Sequence, residues 1–236
     1  ATMPKMIYKI YDAFKASQGR DPRPASTPVY PDTALRKHAG PLVKLDAYQS
    51  IVGKLLYYTM QLAPEMANPV RELATNMSLP SEQHWKSVER CVGYLSLHRD
   101  LPFTIRCPRT LQSILYWDSD YAKNEDDRKS ILGRINTLGG ATTSWSSKKQ
   151  QTVALSSTEA EYYSYLAGCQ EAMFTNMLLR ELFGKDVIKP AIQFGDSIGT
   201  ILLVENQESG ARAKHINTRH HFVREQFENN KVIPEY

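Results

Sequence analysis

Val153-Ala-Leu-Ser-Ser-Thr-Glu-Ala-Glu-Tyr162 joins a short apolar strand end to a Ser/Thr cluster and then to a helix carrying two carboxylates. Ser156, Ser157 and Thr158 are natural N-cap residues. Glu159 and Glu161 fall in the first helical turn, where negative charge suits the exposed N–H groups and the helix dipole. The two glutamates stand about 200° apart around a helix, so they serve different neighbours. Glu159 lies over Tyr162, Tyr163 and Leu166 and joins Ser156, Ser157 and Thr158 in capping. Glu161 shares its face with Ser164 and Gly168, small residues that leave space beside it, and is the one free for chemistry.

Working outward, the helix runs over about 159–183 and is closed by Gly184. Before it lie three strand candidates, 111–116, 131–138 and 141–146, with Gly139-Gly140 turning the second into the third. After it come a strand over 191–194, a helix over 198–205 and a C-terminal helix over 217–229. Strands alternating with helices describe an α/β sheet, and sites in such folds lie at strand ends. Asp118 follows the first strand and Asp196 the last. Taken singly, each is equally a strand-end turn residue, because Asp is favoured at turns. If the two strands are neighbours, both aspartates project from one edge beside Glu161. Three carboxylates without basic partners repel one another unless a cation neutralises them, and a hard divalent ion such as Mg²⁺ suits oxygen donors.

Upstream, residues 4–17 place Met6, Ile7, Ile10, Tyr11 and Phe14 at helical spacing, ending at Gln18-Gly19. Residues 20–42 carry Pro22, Pro24, Pro28, Pro31 and Pro41, which predicts an extended run over a surface, a linker between modules. Three helices follow: 46–62, 70–77 after the interruptions at Pro64 and Pro69, and 81–98 with Ser81 as N-cap. The expected organisation is a helix and Pro-rich linker over 1–45, a small all-α module over 46–110, and an α/β domain over 111–236.

The 236 residues allow a core of ordinary size. No apolar run approaches the ~20 residues needed to cross a bilayer, and the first residues do not resemble a signal peptide, so no membrane association and a cytosolic or nuclear location are expected. The three cysteines are widely spaced, which argues against a disulfide framework or a zinc site. The net charge of +4 says little about partners. Its distribution says more: Arg212, Lys214, His215, Arg219, His220, His221 and Arg224 crowd one segment, and Lys148-Lys149 precede the opening stretch. Such clusters are either solvated faces or phosphate contacts.

Several motifs in one order carry a resemblance: Tyr116-Trp-Asp-Ser-Asp-Tyr-Ala122, Asp127-Arg-Lys-Ser130, Trp145-Ser-Ser-Lys-Lys-Gln150, the opening stretch, Gly195-Asp-Ser197 and Lys214-His-Ile-Asn-Thr-Arg-His-His-Phe222. From about residue 111 onward the chain resembles the RNase H domain of copia-type LTR-retrotransposon polyproteins. Tyr48-Gln-Ser-Ile-Val-Gly-Lys-Leu-Leu-Tyr57 and the run from His84-Trp-Lys86 to Tyr94-Leu95 resemble the connection region between reverse transcriptase and RNase H. Residues 4–28 resemble the tail of the polymerase, whose paired-aspartate motif is missing here.

The resemblance implies an RNase H-like fold, a mixed five-stranded sheet with flanking helices. It implies hydrolysis of the RNA strand of an RNA–DNA hybrid with Mg²⁺ or Mn²⁺, as two ions. Asp118, Glu161 and Asp196 match the family's catalytic, metal-holding carboxylates. His215 matches a histidine that assists product release or proton transfer, or it contacts phosphate as part of the basic segment. Asn217 stands where the family usually has an acidic metal ligand, so a weakened or catalytically inactive module that binds nucleic acid or a protein is the alternative. Lys148, Lys149, Arg212, Lys214 and Arg219 would contact nucleic acid. The polymerase domain of the same polyprotein would be a partner, in a cytoplasmic virus-like particle or the nucleus.

Overall fold

The structure, a computed structural model, describes residues 1–30, 35, 40–105, 110–122, 126–184, 188–205 and 217–236, with side chains from 221 onward in the last segment. The chain groups into two units, 1–104 and 105–236, each with its own hydrophobic core.

In the first unit, Pro4 opens α1 (Pro4–Gln18) where its missing N–H costs no hydrogen bond, and Gly19 closes it at φ 67° with its N–H on the Lys15 carbonyl. Next come α2 (Leu45–Leu62), a 3₁₀ turn (Pro64–Met66), α3 (Ala67–Thr75) and α4 (Glu82–Leu97). Pro69, expected as a break, lies in the first turn of α3, where N–H groups have no intrahelical partner, so the helix begins earlier than its sequence suggests. Ser81 caps α4 as expected, and His84 completes a capping box, its Nδ1 accepting the Ser81 N–H at 2.9 Å. Ile7, Ile10 and Phe14 of α1 share one core with Tyr48, Leu55, Trp85 and Val92. The described part of the Pro-rich segment is fastened along α4. Arg20 grips Glu89 through both oxygens (2.6 and 2.8 Å), Arg90 donates to the Val29 carbonyl (3.0 Å), and Gly93 has no Cβ where the Arg23 carbonyl passes.

The second unit is built on β1 (Ser113–Asp120), antiparallel to β2 (Ile131–Leu138), which turns through Gly139 and Gly140 (φ 54° and 84°) into β3 (Ala141–Lys149). The long helix α5 (Ser157–Phe183) follows, then β4 (Ala191–Phe194), α6 (Ile198–Glu205), α7 (Asn217–Glu228) and β5 (Val232–Glu235). The strand order is β3-β2-β1-β4-β5, with β1, β4 and β5 mutually parallel. This mixed five-stranded sheet with flanking helices is the RNase H-like fold.

β1 continues past Tyr116 because Trp117 to Asp120 keep alternating in burial and pair with β2 as far as Asp120 opposite Ile131. The sequence reading missed β5; its Pro234 suppresses the strand signal, yet an edge strand tolerates proline. Leu115 and Trp117 of β1 pack on Tyr165, Leu166 and Cys169 of α5 to make the core. Among the described residues no helix is long and apolar enough to cross a membrane.

Candidate metal centre

β1 and β4 are neighbours, and their last paired residues are Tyr116 and Phe194, whose rings stack at 5.6 Å. Asp118 and Asp196 each stand two residues beyond that pair, so the parallel ladder delivers both carboxylates to one end of the sheet. α5 supplies the third group. Its N-terminus is fixed by reciprocal caps, Glu159 N–H donating to Ser156 Oγ (3.1 Å) and Leu155 N–H to Glu159 Oε2 (2.7 Å), so Glu159 has the capping role its position suggested. One turn beyond Glu161, Ser164 Oγ donates to the Asp118 carbonyl at 2.7 Å and also reaches the Gly133 carbonyl at 3.3 Å. Ser164 therefore stitches α5 to β1 at the aspartate itself, a tie its reading as a mere space-giver missed. Gly168 makes room for Gln193 rather than for the site.

Each of Asp118, Glu161 and Asp196 offers an oxygen, and the three oxygens lie within 4.8 Å of one another. Asp118 and Asp196 are exposed and Glu161 is half-buried. Ser119 N–H donates to Asp118 Oδ1 at 2.8 Å, which orients that carboxylate. Glu161 Oε2 is buried with no hydrogen-bond partner among the described residues. Burial pushes the Glu161 carboxyl up to about 7, the charges of Asp118 and Asp196 push the same way, and the Ser119 N–H opposes them. None of the three carboxylates forms an ion pair with a described Lys, Arg or His. An all-oxygen donor set with excess negative charge and one orphaned buried oxygen suits a hard divalent cation such as Mg²⁺ or Mn²⁺.

The other expected residues fare differently. Arg212, Lys214 and His215 lie outside the described residues, as do the side chains of Asn217 and Arg219 at the start of α7. Lys148 is exposed near the end of β3. Lys149, also expected to contact nucleic acid, is engaged by Asp127 at 2.8 Å. Burial alone would raise the Asp127 carboxyl, but hydrogen bonds from Lys149 Nζ and the Lys129 N–H hold it below the usual range. Both lysines sit two strands from Asp118, about 10 Å across the sheet.

The chain is 35% identical over 211 residues to a retrovirus-related Pol polyprotein from a transposon of Arabidopsis thaliana, covering 89% of this chain and 14% of that protein. It is 31% identical over 238 residues to another from a transposon of Nicotiana tabacum, covering 97% of this chain and 17% of that protein. It thus spans about one seventh of the length of such relatives. No protein-family model matches it. Among solved structures, a foamy viral protease-reverse transcriptase in complex with dsDNA covers all of this chain at a TM-score of 0.52 and 12% identity, a likeness of fold.

Proposed function

Because the chain belongs to the retrovirus-related Pol polyproteins of transposons, we propose that residues 105–236 are a ribonuclease H that cuts the RNA strand of RNA–DNA hybrids. One observation carries this reading: three carboxylates from β1, α5 and the turn after β4 converge within 4.8 Å, and the buried Glu161 Oε2 has no hydrogen-bond partner among the described residues. In this reading Asp118, Glu161 and Asp196 hold two divalent ions, Mg²⁺ or Mn²⁺. Ions held by these residues would supply a lowered pKa for the attacking water and charge stabilisation for the leaving oxygen.

The chain's own residues do the positioning. Asp118 is oriented by the Ser119 N–H and anchored through its carbonyl by Ser164, and Glu161 closes the site from the buried side. Asp118 and Asp196, being exposed, are open to a substrate phosphate. By the resemblance Asn217 stands where the family usually has an acidic residue, and an uncharged amide in that role would hold a second ion more weakly than a carboxylate. His215 assists proton transfer or product release. Lys148, Arg212, Lys214 and Arg219 meet hybrid phosphates, and the first unit connects the module to the polymerase domain of the same polyprotein.

The test is incubation of the chain with a labelled RNA–DNA hybrid in Mg²⁺ or Mn²⁺. RNA-strand cleavage is expected, with loss on chelation and in Asp118→Asn while the fold is retained. Hybrid binding without cleavage in either metal would assign the chain to the non-catalytic, nucleic-acid-binding alternative.

A further inference from the structure

One residue before each aspartate, the two strands make a contact that the site depends on. Trp117 is 3% exposed, meets the ring of Tyr165 on α5 edge-on at 5.5 Å, and lies over Gly195. A Cβ at Gly195 would overlap the benzo edge of that indole, at Cζ2, Cε2 and Cη2. Gly195 is not among the glycines with positive φ, so its backbone does not require glycine; the ring above it does. Its N–H is itself committed to the Glu235 carbonyl at 3.2 Å.

We propose that Trp117 and Gly195 are a positioning pair that sets the separation of Asp118 and Asp196, and with it the affinity of the site for divalent ions. This inference rests on the metal site of the ribonuclease reading. The ring cannot yield, because Tyr165 and the core hold it; the Gly195 backbone cannot yield without losing the β5 tether. A side chain at 195 therefore displaces the strand ends, and both aspartates stand one residue further on. On the other face the stacked Tyr116 and Phe194 close the same pair of strands, so the opening is held from both sides. Groups that position metal ligands typically change metal affinity by roughly 10- to 100-fold when lost.

The experiment is a double-mutant cycle of Gly195→Ala with Trp117→Leu, read by Mn²⁺ affinity without substrate, by thermal melting and by cleavage. Gly195→Ala in the parent background is expected to weaken Mn²⁺ binding by about tenfold or more. In the Trp117→Leu background, where the space has been given back, the same change is expected to cost less than about twofold. Equal losses in both backgrounds, or no loss in the parent, would overturn the proposal. If Gly195→Ala alone fails to fold, recovery of a folded, Mn²⁺-binding double variant supports the pair, and a double variant that also fails to fold refutes it. A parent that binds no Mn²⁺ overturns the inference as well. A parent that binds Mn²⁺ but cuts no hybrid refutes only the ribonuclease reading and leaves the cycle fully interpretable.

Discussion

Glu161→Gln separates the electrostatic cost of the site from its use. The substitution keeps the shape of the side chain and removes one of three charges whose oxygens lie within 4.8 Å. At that distance each like-charge pair costs about 1 kcal/mol at the dielectric of water and about 3.5 kcal/mol at an effective value of 20. Asp118 and Asp196 are exposed, which puts the two pairs involving Glu161 near the lower figure. The folded carboxyl sits at about 7 against an ordinary 4.5. Because Glu161 is only half-buried, that shift is discounted for solvent screening to about 1–2 kcal/mol. The folded state holds this proton more tightly than the unfolded chain. Stability from this group is therefore full below about pH 4.5, is lost as pH rises to about 7, and stays lost above it.

At pH 8 in chelator, Glu161→Gln is expected to raise the melting temperature of the second unit by roughly 5 °C. At pH 5 the gain should vanish. Divalent ions reverse the order, because a ligand that binds only the folded state stabilises it by RT ln(1 + [L]/Kd). In saturating Mg²⁺ the parent gains and the variant does not, so the two melting curves cross between chelator and metal. Calorimetry across pH with and without Mg²⁺ reads all of this. A variant that melts lower than the parent in chelator at pH 8, or that keeps the full metal-induced rise, would refute the reasoning.

Three further outcomes are expected. Ser156→Ala removes the N-cap of α5 and should cost about 1 kcal/mol in urea unfolding while leaving metal affinity unchanged. Ser164→Ala removes the hydroxyl that donates to the Asp118 carbonyl and should cost about 1–2 kcal/mol, and here Mn²⁺ affinity should fall as well, since the tie is made at a proposed ligand residue. Lys148→Ala should lower the slope of log affinity for hybrid against log salt by about 0.9, whereas Lys149→Ala, whose amine is held by Asp127, should leave that slope unchanged.

Most of the second unit was legible in the sequence because its elements announce themselves by period and by caps. Ser156 and Glu159 cap α5, Gly139-Gly140 turn β2 into β3, and short apolar-rich runs mark β2 and β4. The candidate site was legible through the motif resemblance, because the two strand-end aspartates meet only if their strands are neighbours, as β1 and β4 are. What failed to show was what depends on a partner across the fold. The polar end of β1 is a strand because β2 pairs with it, and β5 is a strand because β4 offers an edge that Pro234 can accept. Lys149 looked free because Asp127 is far from it in sequence. Ser164 looked like space because a serine's hydrogen bond to another element's carbonyl leaves no local trace.

The same contrast explains how a site made of like charges persists. Its carboxylates repel one another in the metal-free fold, and the Ser119 N–H beside Asp118 offsets only part of that cost. The rest of the offset comes from groups that fix the backbones around them: the caps of α5, the Ser164 bridge to β1, the Trp117 ring over Gly195 and the β5 tether beyond it. These anchors act on different elements, so their losses should leave different signatures. Defects in metal affinity and defects in stability should therefore separate: caps such as Ser156 move stability alone, charges such as Glu161 move the two in opposite directions, and ties at a ligand backbone lower both.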